Sequence, residues 1–515
     1  MIWYLDLMWN ARPWDTDARD LKIAEQASTI AELIRLNRQL TEVNRQLNER
    51  IERLEGLLAS QVDSKSSKTP VFTENDSLGR NRHSPQDSDS RQKKGSPGRK
   101  PRSAKARLVR DTIEIFADGV ARQECIHHRY QFAWRIVDGK ATYLRYDIRD
   151  LPGSTTLPLP PGLRSSRSEF GIEVILILAF LHYWVGVSQD NAIQIMNFFT
   201  GLDLSKSQAD SLLSQLADDW EQQRDTIAEL IALQTVLYID ETGWKVGAKS
   251  CYTWIFSTSM HVLFRCGVSR KKTEAIDIPG ESFAGIGVTD DYAAYKSMFS
   301  KHQLCWAHLI RKAIKLVLQN PDETEYADFL DQLCLIYHDA KDLRDNVAAA
   351  VAGEPLSESV ERQAVVTKLQ DRITLLCSRR DEKVITANAA AKSDPAVEPT
   401  PSSVETFVLL QRELANNVDC LFVFVEHPEV EPTNNRSERN ARREAEIRKG
   451  ARTSKTASGA KRRGIIVTVL ASLQTRIANF TLSNMLAEVG RWWETGTSLF
   501  ELELETIKEK KTHHV

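Results

Sequence analysis

Three acidic residues stand where carboxylates could hold metal ions. Asp240 follows the apolar run 235–239, and Asp290 follows the run 284–289. Glu438 lies one turn into a predicted helix. Three carboxylates can hold two Mg²⁺ ions and leave room for phosphate and water, because Mg²⁺ prefers hard oxygen ligands and keeps part of its hydration shell. The chemistry that these residues suggest is metal-assisted phosphoryl transfer.

Each acid has an ordinary explanation when it is taken alone. An aspartate at a strand end often caps a turn, and a helical glutamate near arginines often forms a surface ion pair. The catalytic interpretation depends on all three acids, on their order and on the basic residues beside Glu438. The intervals are 50 residues from Asp240 to Asp290 and 148 residues from Asp290 to Glu438.

The pattern from residue 235 onward predicts a sheet that brings the first two acids together. Strands are predicted at 235–239, 252–257, 261–266, 284–289 and 303–305. In a ribonuclease H-like sheet the first and fourth strands are neighbours, so carboxylates at their ends face each other. A helix is predicted at 306–318, and the third acid is expected from a later helix, after a mostly helical insertion.

Two basic segments are concealed by the net charge of −2. Residues 91–110 contain nine Lys or Arg and no acid, and residues 436–463 contain eleven Lys or Arg against three Glu. Neutralising DNA phosphates releases counterions, so such segments favour nucleic-acid binding. A solvated linker and a solvated helix face are the alternatives. We expect DNA contacts from Arg99, Lys100, Arg102, Arg439, Arg442, Arg443, Arg448 and Lys449.

Residues 23–58 carry a seven-residue repeat. The repeat has leucine at positions 33, 40, 47 and 54, with Ile and Asn at the companion positions. This pattern predicts a parallel two-stranded coiled coil and therefore a homo-oligomer. A trimer, or a helix folded back on the core, remains open. The polar segment 59–106 predicts a basic linker with no fold of its own.

The region between this linker and the predicted sheet has two parts. Alternating apolar residues at 113–116 and 141–146 indicate strands, and helices are predicted at 169–185, at 190–199 and after Ser205. A short break at Gly201 separates the last two helices. A helix-turn-helix DNA reader and a structural helical hairpin both fit this pattern.

The cysteines and the apolar segments indicate the cellular compartment of the protein. The seven cysteines lack the spacing of a disulfide framework, and no signal peptide is visible. The longest apolar run, 170–187, contains Glu173 and His182, so we interpret it as a buried helix rather than a membrane span. We expect a cytoplasmic, nucleoid-associated protein with no membrane partner.

Four motifs resemble the insertion sequence sixty-six family of transposases. They are LYIDET at 237–242, DDYAAY at 290–295, CWAHLIRK at 305–312 and NNRSER at 434–439. Arg448-Lys449, the loop at 458–459 and SLQT at 472–475 continue the match in order. The resemblance covers roughly residues 165–490, and the complete set is specific although no single motif is.

The resemblance implies a transposase with an acidic triad of Asp240, Asp290 and Glu438. It implies two Mg²⁺ per active site, replaceable by Mn²⁺, and DNA partners that include the element ends and the target. Accessory proteins of the same element are a further expected partner. Asp290 rather than Asp291 takes the catalytic place, because the residue before the tyrosine is usually glycine in the family. Supporting roles are expected for Asn434, Asn435, Cys305 and His308.

The chain departs from the family pattern at two places. Thr433 stands where the family often has an aspartate. Members commonly carry a cysteine-rich zinc element before the core, whereas here only the segment CIHH at 125–128 remains, and a complete zinc site needs four ligands. The spacing of Cys305 and His308 with Cys334 and His338 could imitate a zinc site, but both pairs fall on apolar helical faces. We expect no zinc.

The predicted fold class is multidomain, with an N-terminal coiled coil, a helical DNA-binding region and an α/β ribonuclease H-like catalytic domain that carries a helical insertion. The predicted parts are 1–58 (coiled coil), 59–106 (linker), 107–165 (small β region), 166–230 (helical), 231–320 with 415–490 (catalytic core), 321–414 (insertion) and 491–515 (tail). An inactive DNA-binding descendant and a nuclease without strand transfer are the rival functions. An aspartyl phosphatase would need a second Asp where Thr242 stands.

Overall fold

A computed structural model describes residues 108–281, 283–295, 298–350, 358–378 and 402–512. The predicted coiled coil and linker lie outside these residues, as do Arg99, Lys100 and Arg102.

The region predicted as a small β region contains a three-stranded sheet. Its strands are β1 Asp111–Phe116, β2 Ile126–Val137 and β3 Lys140–Asp150. The order is β1-β3-β2, with β3 parallel to β1 and antiparallel to β2. Asp138 and Gly139 join β2 to β3 with positive φ angles of 48° and 74°, as a tight hairpin of this twist requires. The sequence pattern missed β2, because its polar residues hide the alternation.

The larger sheet has five strands. They are β4 Val236–Val246, β5 Lys249–Ser257, β6 Val262–Val268, β7 Ile286–Thr289 and β8 Lys301–Leu304. The order is β6-β5-β4-β7-β8, with β6, β5 and β4 antiparallel and β4, β7 and β8 parallel. The first and fourth strands of this sheet are therefore neighbours, as predicted.

Strand β4 is longer than predicted. The sequence pattern predicted an end at Asp240, whereas the strand continues to Val246 and pairs with β5 from Tyr238 onward. The polar residues after Ile239 hid this second half. Asp240 consequently lies within a strand that pairs with β5, and this pairing holds the Asp240 backbone on the β5 side.

The described residues also form helices. They are α1 Ile172–Ala179, α2 Gln189–Thr200, α3 Lys206–Ala232, α4 Lys272–Ile276, α5 Trp306–Gln319, α6 Thr324–Ala350, α7 Glu358–Ser378, α8 Ser402–Asn416, α9 Val423–Glu426, α10 Asn435–Lys449, α11 Ala457–Arg476, α12 Leu482–Thr495 and α13 Leu499–Thr512. A π-helical turn, Phe180–Trp184, continues α1. Ser205 is the N-cap of α3, since its hydroxyl accepts the backbone N–H of Gln208. Among the described residues, no helix is long and apolar enough to cross a membrane.

Two hydrophobic cores meet at strand β4. Leu237 and Ile239 belong to a core that includes α1, α3, α11 and α13, whereas Tyr238 belongs to a second core with α5 and the insertion helices. Successive residues of a strand point to opposite faces, which explains this division. Helix α3 shares its core with the sheet, and a helix-turn-helix DNA reader and a structural hairpin both stay predictions for α2 and α3. The predicted tail contains α13, whose Phe500 is fully buried.

Helix α11 covers the free edge of the sheet at β6. Its Ser472 hydroxyl accepts the backbone N–H of Val262 at 3.1 Å, and its Thr468 hydroxyl accepts that of Phe264 at 2.9 Å. Gly464 permits this approach, because a Cβ there would lie 3.0 Å from the Phe264 carbonyl oxygen. An exposed edge strand invites pairing with other chains, so these hydroxyls protect the sheet while they fix its position.

Candidate active site

The register of β4 and β7 places the first two acids side by side. Tyr238 pairs with Val288 in parallel, and Asp240 and Asp290 each lie two residues further along the chain, Asp240 within β4 and Asp290 directly after β7. Neighbouring strands lie about 4.8 Å apart. Asp240 accepts the backbone N–H of Glu241 at 2.9 Å, and Asp290 accepts that of Tyr292 at 3.0 Å.

The start of α10 is fastened to β4 beside Asp240. The buried Asn434 side chain donates to the Ile239 carbonyl oxygen at 2.6 Å, and the buried Ser437 hydroxyl donates to that of Tyr238 at 2.9 Å. These two bonds explain why Asn434 and Ser437 of the NNRSER motif are polar. They fix the first turn of α10, which carries Glu438, against the strand that carries Asp240.

The charges of the other two predicted acids act on Asp240. Burial raises the pKa of Asp240 well above its ordinary value, and the charges of Glu241, Asp290 and Glu438 raise it further. Carboxylates this close repel one another when ionised. The arrangement therefore concentrates negative charge at one end of the sheet, which suits cations.

A hydrogen-bond network that the sequence did not reveal ties the Asp290 loop to β4. The buried Glu241 carboxylate accepts from Arg270 at 2.7 and 2.9 Å and from the Tyr295 hydroxyl at 2.5 Å. Arg270 lies 4.0 Å from the centre of the Tyr292 ring, and the Tyr292 hydroxyl donates to the Arg270 carbonyl oxygen. The two tyrosines of the DDYAAY motif thus brace the loop that carries Asp290.

Glu438 has three side-chain neighbours on or before α5. Arg311 donates to both of its carboxylate oxygens at 2.7 Å. The Cys305 thiol donates to Oε1 at 3.5 Å, and His308 Nδ1 lies 3.2 Å from the same oxygen. The structure therefore brings the predicted supporting residues Cys305 and His308 to Glu438 and adds Arg311.

The Cys305, His308 and Glu438 ligand atoms lie within 4.8 Å of one another. Burial, with the nearby Glu438 charge, raises the pKa of the Cys305 thiol to about 12, and burial lowers that of His308. The Asn434 backbone N–H donates to the Cys305 sulfur at 3.1 Å. The Cys305 thiol therefore fits a role in holding the carboxylate, whereas His308 Nδ1 lies close to it without a hydrogen bond. Asn435 is exposed at the first position of α10.

The predicted DNA contacts on α10 divide into two groups. Arg439, Arg442 and Lys449 are exposed. Arg448 donates to the Gly243 carbonyl oxygen at 2.7 Å, which attaches α10 to β4.

Arg443 points toward the core rather than toward solvent. Its guanidinium lies 3.7 Å from the centre of the Trp184 ring, and two of its nitrogens are buried without a hydrogen-bond acceptor. Burial lowers the pKa of Arg443 to about 10. This placement gives Arg443 a packing role.

The segment 125–128, interpreted from the sequence as the remnant of a zinc element, is held by local contacts. Cys125 donates to the Ala121 carbonyl oxygen, His127 contacts Asp147, and His128 contacts the Leu151 carbonyl oxygen. These three side chains serve the small sheet.

Comparison with known families gives one match. The family described as Transposase IS66 family matches residues 169–462, more than half of the chain. The matched segment includes the larger sheet, the insertion and all of α10. No curated protein matches the chain.

Proposed function

The chain belongs to the IS66 family of transposases, and from this premise we propose that Asp240, Asp290 and Glu438 form its DNA-cleaving site. The observation that carries the proposal is geometric: Asp240 and Asp290 each lie two residues beyond the paired Tyr238 and Val288 of neighbouring parallel strands, and Asn434 and Ser437 fasten the first turn of α10, which carries Glu438, to the strand of Asp240. The raised pKa of Asp240 supports it, since the charges of Asp290 and Glu438 add to the effect of burial. We propose that the sheet with α10 and α11 is a ribonuclease H-like catalytic core.

The three residues fit divalent cations. Each offers hard carboxylate oxygens, and cations would offset the repulsion that raises the pKa of Asp240. When bound, two Mg²⁺ or Mn²⁺ ions lower the pKa of an attacking water and neutralise charge on the phosphate. Asp240, Asp290 and Glu438 would hold these ions.

The protein itself supplies position. Asn434, Ser437 and the network around Glu241 hold the acids on fixed elements, so the backbone that carries the acids needs little rearrangement when DNA arrives. The exposed side chains of Arg439, Arg442 and Lys449 on α10 would bind backbone phosphates and orient the scissile strand. Misplacing that phosphate would disrupt the in-line geometry of displacement.

The proposed reaction has two displacements at phosphorus. In the first, a water oxygen bonds to the scissile phosphorus and the bond to the 3′ oxygen breaks, which leaves a free 3′-hydroxyl. In the second, that hydroxyl attacks a phosphorus of the target strand, and the new phosphodiester replaces the old one. No protein side chain becomes covalently attached. Residues 23–58 would pair copies of the chain so that two element ends are held together.

The test uses labelled element ends with Mg²⁺ or Mn²⁺. Wild-type protein should nick at the 3′ ends and join them to target DNA, whereas Asp240→Ala, Asp290→Ala and Glu438→Ala should each lose cleavage and still bind DNA. The loss should be roughly a thousandfold or more, as for residues that act as one catalytic unit. Asp291→Ala is the matched control and should be milder. Full cleavage by one of the three variants would remove that residue from the site.

The same assay separates the rivals. Nicked but never joined products would favour a nuclease without strand transfer. Tight binding of element ends with no cleavage in either metal would favour a DNA-binding descendant.

A further inference from the structure

Both carboxylate oxygens of Glu438 are engaged by Arg311. The two distances are 2.7 Å, and among the described residues Glu438 is the one acid that Arg311 contacts. One Arg311 nitrogen bridges the two oxygens and so occupies the place where a cation would bind both of them. If Glu438 is the third metal-binding acid, as proposed above, Arg311 and a cation need the same atoms.

We infer that Arg311 is a DNA-contacting residue that exchanges Glu438 for a backbone phosphate when a divalent cation binds Glu438. The inference rests on the proposed function of Glu438. Arg311 is thus a positioning residue in the cation-free site and a phosphate ligand in the loaded one.

The surroundings of Arg311 permit this exchange. Its side chain is 48% exposed, and its remaining hydrogen bond runs to the Ala307 carbonyl oxygen within α5 at 2.9 Å. The guanidinium can therefore leave Glu438 without breaking a contact to another element. Its planar donors match the paired oxygens of a phosphate as well as those of a carboxylate.

Glu438 keeps other partners when Arg311 leaves. The Cys305 thiol and His308 contact Oε1, and Cys305 is itself fixed by the Asn434 backbone N–H. The Cys305 hydrogen bond would hold the carboxylate in place for a cation.

Exchange couples two binding events. A phosphate that draws Arg311 away makes Glu438 available to the cation, and a cation on Glu438 makes Arg311 available to phosphate. Such coupling is reciprocal, so each ligand strengthens the binding of the other by the same factor. The protein would therefore load metal more readily on DNA than in free solution.

The first test measures Mn²⁺ binding without DNA, from the electron paramagnetic resonance signal of free Mn²⁺. Arg311→Met keeps the length of the side chain but removes the competing charge, and it should tighten Mn²⁺ binding by about tenfold, within the usual range of such coupling. Lys312→Met is the matched control. Lys312 is the next residue of α5 but pairs with Glu413 on α8, so its loss should change affinity by less than about twofold.

The results that overturn the inference are distinct. Weaker Mn²⁺ binding by Arg311→Met would mean that Arg311 only holds Glu438 in its productive orientation. Equal binding would mean that the two do not compete. Thermal unfolding of each variant without metal confirms that it is folded before affinities are compared.

The second test measures DNA affinity by fluorescence anisotropy with and without Ca²⁺. Wild-type protein should bind element ends more tightly when Ca²⁺ is added, Arg311→Met should lose that gain, and Arg311→Lys should keep part of it. An equal gain in wild type and Arg311→Met would overturn the phosphate contact. Asp240→Asn distinguishes a failure of the proposed metal site from a failure of the exchange. Mn²⁺ binding that stays intact in Asp240→Asn would rule out the proposed metal site itself. Mn²⁺ binding that is lost in Asp240→Asn but unchanged in Arg311→Met would rule out the exchange alone.

Discussion

Helix α10 carries two glutamates that each accept two hydrogen bonds from one arginine, and the two pairs differ in burial. Glu438 pairs with Arg311, whose side chain is 48% exposed, and Glu444 pairs with Arg463, whose side chain is 5% exposed. The Arg463 bonds to Glu444 are both 2.8 Å. The same two residue types therefore pair in two environments less than two helical turns apart, through one bridging Arg311 nitrogen at Glu438 and through two Arg463 nitrogens at Glu444.

The difference indicates what each pair can do. Arg463 is also covered by Tyr183 and Trp244, so neither partner of the buried pair can find another ligand. That pair fixes α10 to α11 permanently. The pair at Glu438 opens to solvent at the end of the sheet where the other two acids lie, so its partners can change.

Breaking the buried pair should have the largest effect on stability. Glu444→Ala leaves the Arg463 charge buried without a partner, and we expect the free energy of unfolding to fall by about 3–5 kcal/mol. Urea unfolding monitored by circular dichroism measures the change. Replacing both partners with methionine should restore most of the loss, because no charge then remains buried. If the single and double variants were equally unstable, packing rather than charge would account for the effect.

Removing a carboxylate from the acidic end of the sheet should instead stabilise the metal-free protein. Because the pKa of Asp240 is raised in the folded protein, its ionisation costs folding free energy. Stability of the wild type falls as pH rises from the ordinary aspartate pKa of 3.8 to the raised pKa in the folded state, and is level above it. The melting temperature of Asp240→Asn should therefore exceed that of the wild type at pH 7.

Lowering the pH provides the control for this prediction. Near pH 4 the carboxyl is protonated in the folded protein, so the two melting temperatures should converge. A gap that stays constant across this range would assign the effect to hydrogen bonding rather than to charge. Measurements need a chelator, since bound cations reverse the sign.

Substitutions of the neighbouring residues Arg442 and Arg443 on α10 should have the smallest effects, and the two should differ in DNA affinity. Arg442→Gln removes an exposed charge, so DNA affinity should fall and the log-log salt slope should decrease by about 0.9 if one phosphate contact is lost. Arg443→Met removes a buried guanidinium from its place over Trp184, so DNA affinity should stay unchanged while stability is kept or gained. Salt-titrated anisotropy on the same DNA compares the two. A larger loss of binding in Arg443→Met would place that residue at the DNA.

The sequence predicted those parts of the site that depend on local pattern. The apolar runs before Asp240 and Asp290 gave neighbouring strands, and the polar start of α10 placed Glu438 in a first turn. The sequence could not predict which side of α10 faces the core, because the helix is polar on nearly every side. Its pattern therefore does not show which arginine faces inward. Arg442 and Arg443 were therefore equivalent in sequence although one is exposed and the other is packed on Trp184.

Contacts between distant segments account for what the sequence did not reveal. Arg311 and Glu438 are separated by 127 residues, and Tyr295 and Glu241 by 54. Nothing in the local pattern of either segment indicates its partner. The second half of β4 was missed for a related reason, since its polar residues form a strand only because β5 supplies the paired edge.

The most direct test of the central claim locates the metal in the protein. Fe²⁺ takes the place of Mg²⁺ in the wild-type chain, peroxide and ascorbate then generate hydroxyl radicals at the ion, and mass spectrometry maps the backbone cuts. If Asp240, Asp290 and Glu438 share one metal site, the cuts should cluster next to all three residues. Excess Mg²⁺ should suppress these cuts, and Asp240→Asn should abolish them. Cuts confined to the neighbourhood of Cys305 and His308, or cuts near the aspartates with none near Glu438, would contradict it.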